Sequence, residues 1–158
     1  MKPSRRSAVL TALLVLVASG IVRAQTNRAH IGPHIAYNFE VEEFAIGAQF
    51  SLPVAERLEF YPSFDYYFVD PGSLWAVNAD LKWRVARDRP RWFYLGGGLN
   101  ITRREVGDID NTDLGANLFL GAESLRGTIH PFGELRAILA DDSSIQLQIG
   151  LNITLGRH

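Results

Sequence analysis

The chain has 158 residues, no cysteine, 47% hydrophobic residues and a formal charge of −1. That length suits one domain, the apolar content is too high for a disordered chain, and the lack of cysteine excludes disulfides, thiolate metal centres and cysteine nucleophiles. The charge is unevenly spread: residues 1–24 carry Lys2, Arg5, Arg6 and Arg23 with no acid, so the remaining 134 residues hold −5, which speaks against a nucleic-acid binder.

The N-terminal 24 residues read as an export signal. Met1–Arg6 is a basic start, Ala8–Gly20 is a run of small and apolar residues broken only by Thr11 and Ser19, and Val22-Arg23-Ala24 resembles a signal-peptidase site. The run is shorter than the roughly 20 residues a permanent membrane helix requires. The mature protein is therefore expected to begin at Gln25, with residues 25–158 forming one domain.

From Arg28 onward the apolar residues recur with period two, the signature of strands with two unlike faces. Eight strands are expected near 29–40, 43–54, 57–69, 73–86, 91–104, 113–125, 127–140 and 143–156. The separators are Val41-Glu42, Ala55-Glu56, Asp70-Pro71-Gly72, Arg87–Pro90, a longer Glu105–Thr112 loop, Arg126-Gly127 and Asp141-Asp142. Connections this short join antiparallel neighbours.

The third strand sets Leu58, Phe60, Pro62, Phe64, Tyr66 and Phe68 against Glu59, Tyr61, Ser63, Asp65 and Tyr67. The eighth sets Ile145, Leu147, Ile149, Leu151, Ile153 and Leu155 against Gln146, Gln148, Gly150, Asn152, Thr154 and Gly156. A soluble barrel would bury the apolar face, whereas a transmembrane barrel turns it to lipid. Three features favour the membrane version. The polar face is rich in Gly, Ala, Ser and Asn, as a crowded lumen requires. Lys82 is the one lysine after residue 24, although soluble edge strands rely on lysine for protection. Apolar-face aromatics also gather at two levels, with Tyr37, Phe39, Phe44, Tyr66, Phe68 and Trp75 at one rim and Phe60, Trp83 and Phe93 toward the other. Pro33, Pro62 and Pro131 fall inside strands of a barrel that has no free edge, and bulges are the expected accommodation.

The chain resembles the small eight-stranded outer-membrane barrels typified by the OmpA transmembrane domain and OmpX. Its last strand carries the polar–Gly–hydrophobic–hydrophobic spacing of their assembly signal at Gln148, Gly150, Ile153 and Leu155, although Gly156-Arg157-His158 follows in place of a terminal aromatic. The resemblance implies an all-β, up-and-down transmembrane barrel in contact with outer-membrane lipid. It further implies delivery by periplasmic chaperones to the barrel-assembly machinery, and both termini in the periplasm. The outward connections would then hold ten acids against Arg103 and Arg104, and the periplasmic turns a basic excess at Arg57, Arg87, Arg89, Arg91 and Arg126. A monomer is expected.

The lumen face should carry an ion-pair network of Glu59, Asp65, Asp80, Lys82, Arg84, Glu123, His130, Glu134 and Arg136, because unpaired charges in a narrow interior are costly. A hairpin centred on Pro71-Gly72 would set Glu59 directly opposite Arg84, and His130 should pair with Glu123 across the Arg126-Gly127 turn. Tyr61, Tyr67, Trp92, Tyr94, Phe119 and Phe132 share that space, so a packed lumen without a wide pore is expected.

Sites for chemistry are sparse. His30 and His34 share a face but lie about 13 Å apart along one strand, too far for one metal ion, and neither a metal centre nor any cofactor is expected. Asp108, Asp110 and Asp113 form an acidic loop that would attract divalent cations weakly, without the glycine and closing glutamate of a calcium loop. Gly96-Gly97-Gly98 has no helix after it, so it provides lumen space or a bend rather than a phosphate cradle. No Ser–His–acid set converges, and the outward face offers only Ser124. The expectation is a non-enzymatic envelope or surface-contact protein, with a narrow channel and a lipid-modifying enzyme as alternatives.

Overall fold

The computed structural model describes residues 28–88 and 91–156, so the expected signal peptide and its cleavage point lie outside the described residues. The described chain forms eight strands: β1 (His30–Asn38), β2 (Glu43–Pro53), β3 (Leu58–Tyr67), β4 (Ser73–Asp88), β5 (Arg91–Val106), β6 (Ile109–Ser124), β7 (Ile129–Leu139) and β8 (Ser144–Thr154). Each pairs antiparallel with the next, and β8 pairs with β1 to close the barrel. Beyond the last strand pairs, the Phe39 amide donates to Ile145 O and the Leu155 amide to Ala29 O. Closure leaves no open edge, the condition for placing strands in hydrocarbon.

Side-chain alternation puts the polar face inside. Glu59, Asp80, Lys82, Glu134 and Arg136 are buried, whereas Leu114, Leu118, Leu120, Phe44 and Leu99 each expose more than half of their surface. A water-soluble barrel would show the reverse. At the expected aromatic rim by the β1–β2 and β3–β4 hairpins, rings meet in three groups: Tyr37 packs on Phe39 and Phe44, Tyr66 on Phe68, and Phe64 on Trp75.

Three expectations change. The Glu105–Thr112 loop is strand nearly to its tip. β5 and β6 pair as far as Val106 and Ile109, joined by Gly107-Asp108 alone. Gly107 takes a positive φ of 61° and Asp108 does not, as a type II′ turn requires. The β3–β4 register is displaced by two residues: Glu59 opposes Lys82, and Arg84 lies diagonally across. The two-residue displacement preserves every side chain's face, so the lumen set is unaltered. The loop between these strands is the five residues 68–72, the longest of the connections.

Nor do bulges accommodate the prolines. The β1–β8 ladder lapses at Gly32 and Pro33, and the β2–β3 ladder lapses opposite Pro62. Pro131 lies one position beyond the last β6–β7 pair, Glu123–Phe132. Pro33 supplies no amide, and the carbonyl of Leu151 instead accepts from Gln49 Nε2 at 2.9 Å. A lumen side chain thus replaces the missing ladder donor. The one register shift between β4 and β5 is at Val85, between Arg84 and Ala86.

Candidate functional site

The lumen is the candidate site, and its contents fall into three layers. Nearest the β1–β2 and β3–β4 hairpins, Ala36, Ala45, Tyr67, Leu74 and Ala76 form an apolar cluster, with Val41 and Val69 folded against it. Ile138 is buried at the same level, and a small cavity of about 110 Å³ opens above between Glu40, Arg104, Asp113 and Asp142.

The middle layer is a hydrogen-bonded chain that crosses the barrel. Arg136 bonds Asp80 through Nη1 at 2.6 Å and Glu134 through Nη2 at 2.8 Å, and Gln148 donates to the same Glu134 oxygen. Asn117 links Asp80 to Asn78 at 2.9 and 2.8 Å, and Asn78 donates to Asp65 at 2.9 Å. His34 joins Asp65 at 2.7 Å and Gln49 at 2.6 Å, and Gln49 reaches Asn152 at 2.8 Å. Buried charges persist only with such partners, because each has surrendered its hydration. Glu59, Asp80 and Gln146 expose none of their surface, so neither bulk water nor a water-sized void touches them.

The third layer lies at the end where β1 begins and β8 ends. Glu59 binds Lys82 Nζ at 3.0 Å and the Arg84 guanidinium, and accepts from Ser51. Glu123 stands further from the same cations, at 3.6 and 3.9 Å, and lies 3.4 Å from His130. Lys82 sits over the Tyr61 ring at 4.4 Å, Arg136 over Phe119 at 4.7 Å and Arg84 over Trp92 at 5.0 Å. Cation–π contact therefore supplements the ion pairs where aromatic rings fill the bore.

All nine residues expected in the network line the lumen, and the Glu59–Arg84 and Glu123–His130 contacts form. What the charge-based reading missed is the amide component: Gln49, Asn78, Asn100, Asn117, Gln146, Gln148 and Asn152, together with His34. Their inward parity marked them, but charge alone did not. The acidic loop is dismantled. Asp110 on β6 is held by Arg103, Asp113 accepts from Asn111, and Asp108 occupies the turn. His30 and His34 part company, His34 to Asp65 and His30 to the rings of the terminal layer, 5.2 Å from His130. The assembly-signal residues have places in the folded barrel. Gln148 is hydrogen-bonded in the lumen, a Cβ at Gly150 would stand 2.7 Å from the Phe132 ring, and Ile153 and Leu155 face outward.

Lumen glycines stand opposite rings. Gly96 pairs with Phe119 and Gly121 with Tyr94, where a Cβ would come within 2.2 and 2.5 Å of ring carbons. Gly98 likewise leaves room for Asp80, so Gly96 and Gly98 give lumen space, whereas Gly97 lies on the outward face beside Leu118.

A closed eight-strand meander with a charged, amide-rich bore and an apolar, aromatic-rimmed exterior has known counterparts. The N-terminal barrel domain of Pseudomonas aeruginosa OprF superposes with a TM-score of 0.68 at 14% identity, covering 82% of this chain and 98% of that one. The fold is that of the small outer-membrane β-barrels. Neisserial surface protein A matches with a TM-score of 0.60 at 16% identity, over 81% of this chain and 95% of that one. The outer membrane enzyme PagL matches at 0.54 and 11% identity, over 80% of this chain and 99% of that one. No protein-family model matches the sequence, and no curated protein does.

Proposed function

We propose that this chain is a non-enzymatic, monomeric outer-membrane protein whose closed barrel serves envelope integrity or surface contact. The observation that carries this reading is the buried middle layer, in which Arg136, Asp80, Asn117, Asn78, Asp65 and His34 are bonded wall to wall. An eight-stranded bore is only about wide enough for side chains, and here those side chains are locked to one another. Both ring nitrogens of His34 are committed to Gln49 and Asp65, so this histidine has no base to offer a serine. The short connections give little projecting surface for adhesion, which favours a plain envelope role. The acidic hairpin end faces the cell exterior in this reading, and residues 1–24 direct export.

Planar-bilayer recording on the purified protein tests the closed bore. Absent or small, intermittent conductance is expected, and stable porin-like conductance would replace this reading with the channel. Lipid deacylation or acyl transfer by the pure protein would replace it with the enzyme. For orientation, a tag between Gly107 and Asp108 is expected to be accessible on intact cells and one at Asp88 inaccessible; the opposite labelling inverts the topology.

A further inference from the structure

In the terminal layer, His30, Glu123 and His130 turn one ligand-capable atom each toward a common point, all within 4.8 Å of one another. They come from three strands: His30 opens β1, Glu123 lies one residue from the end of β6, and His130 is the second residue of β7. All three are more than nine-tenths buried. His30 Nδ1, His130 Nδ1 and both carboxylate oxygens of Glu123 lack a hydrogen-bond partner. Unsatisfied buried groups are costly one at a time, and three such side chains gathered within 4.8 Å of one another indicate something that binds there.

The tautomer of His130 sharpens this. Its Nε2 lies 2.9 Å from the carbonyl oxygen of Gly127, which can only accept, so Nε2 carries the hydrogen. In the neutral ring, Nδ1 then presents a lone pair to Glu123 Oε1 at 3.4 Å. Two lone pairs facing each other require either a proton or a metal cation between them. A backbone carbonyl on the far nitrogen is also the usual outer support of a metal-bound imidazole. The neighbouring cations leave Glu123 available, because Lys82 and Arg84 both lie closer to Glu59.

We propose that His30, Glu123 and His130 form a binding site for a borderline first-row divalent cation of the zinc class. Two imidazoles and one carboxylate suit such an ion, with a fourth position left for water. Bonds of about 2.0–2.2 Å draw the three side chains inward from their present spacing. The bound ion ties β1 to β6 and β7 across the bore. It does so beside the lapse in the β1–β8 ladder at Gly32 and Pro33, where the barrel closure has lost backbone bonds. The site is thus a staple at the closing seam.

The test uses the tag-free barrel refolded in detergent at pH 7.5, titrated calorimetrically with zinc chloride and spectroscopically with cobalt(II). One equivalent is expected to bind at micromolar or tighter Kd, with visible cobalt absorption bands and a raised temperature for the folded-to-unfolded gel shift. His30→Gln and His130→Gln should each weaken binding at least tenfold and remove the cobalt bands. The double change Asp110→Asn/Asp113→Asn, at the far end of the barrel, should leave both signals unchanged. If His130→Gln does not refold, His30→Gln alone decides the point. A wild-type barrel that binds no zinc shows that a proton fills the gap and overturns the proposal. Binding that survives His30→Gln, or that vanishes with the Asp110/Asp113 change, overturns it as well.

Discussion

The two ends of the lumen are closed by different physics. Toward the β1–β2 hairpin, Leu74, Ala36, Ala45 and Ala76 meet as apolar surfaces that need contact but no partners, and the Tyr67 ring packs among them with its hydroxyl donating to Gln146. Toward the start of β1 and the end of β8, Glu59, Lys82, Arg84 and Glu123 are buried and must compensate one another. Apolar packing degrades gradually as atoms are removed, whereas a charge network fails where a single member is lost. The middle layer belongs to the second kind.

The largest effect should come from Arg136, among the described residues the one cation bridging Asp80 and Glu134. Arg136→Ala leaves two buried carboxylates without their cation and should cost about 3–5 kcal/mol in urea unfolding from lipid vesicles. It should also raise single-channel conductance; an unchanged, silent barrel would place the seal elsewhere. Leu74→Ala removes apolar contact only, beside an existing small cavity that eases relaxation. A loss near the lower end of ~2–5 kcal/mol is expected, with no gain in conductance because the layer below is intact. If Leu74→Ala opens the bore, the apolar end is the gate and the comparison reverses.

Gly96→Ala probes the crowded bore between the two ends. Its Cβ would meet Phe119 and the Leu81 carbonyl, so about 1–3 kcal/mol should be lost, part of it regained in the Gly96→Ala/Phe119→Leu double variant. Full additivity in that cycle would show that the ring is not what requires glycine. The smallest effect belongs to Arg103→Ala at the acidic rim. Arg103 bonds Glu105 and Asp110 with all three groups substantially exposed, so the change should stay within about 1 kcal/mol and shrink further in salt.

Much of this architecture was legible because a strand's period of two is a local property. Whether Glu59 faces the bore depends only on its parity with Tyr61 and Ser63, and no tertiary information is needed to see that Phe60 and Phe64 face the other way. Eight alternating segments with short connections then admit little but a meander, and the sign of the alternation assigns inside and outside. The Gly107-Asp108 turn was also legible, as a glycine at the first central position of a type II′ hairpin, but the density of acids around it disguised a strand as a loop.

The sequence by itself thus determined the strand count, the face of each side chain, the polarity of the barrel and the membership of the charged network. Only the tertiary structure decided who meets whom. Register sets Glu59 against Lys82 rather than Arg84, and the shift of two residues is invisible to a pattern that repeats every two. Barrel closure brings His30 to His130 and Glu123, strands apart in the chain, and sends His34 to Asp65 and Gln49. The gap at Pro33 is filled by Gln49 reaching Leu151 across more than a hundred residues of chain. Parity is written one residue at a time, but contact across a bore depends on shear, stagger and closure, which belong to all eight strands together.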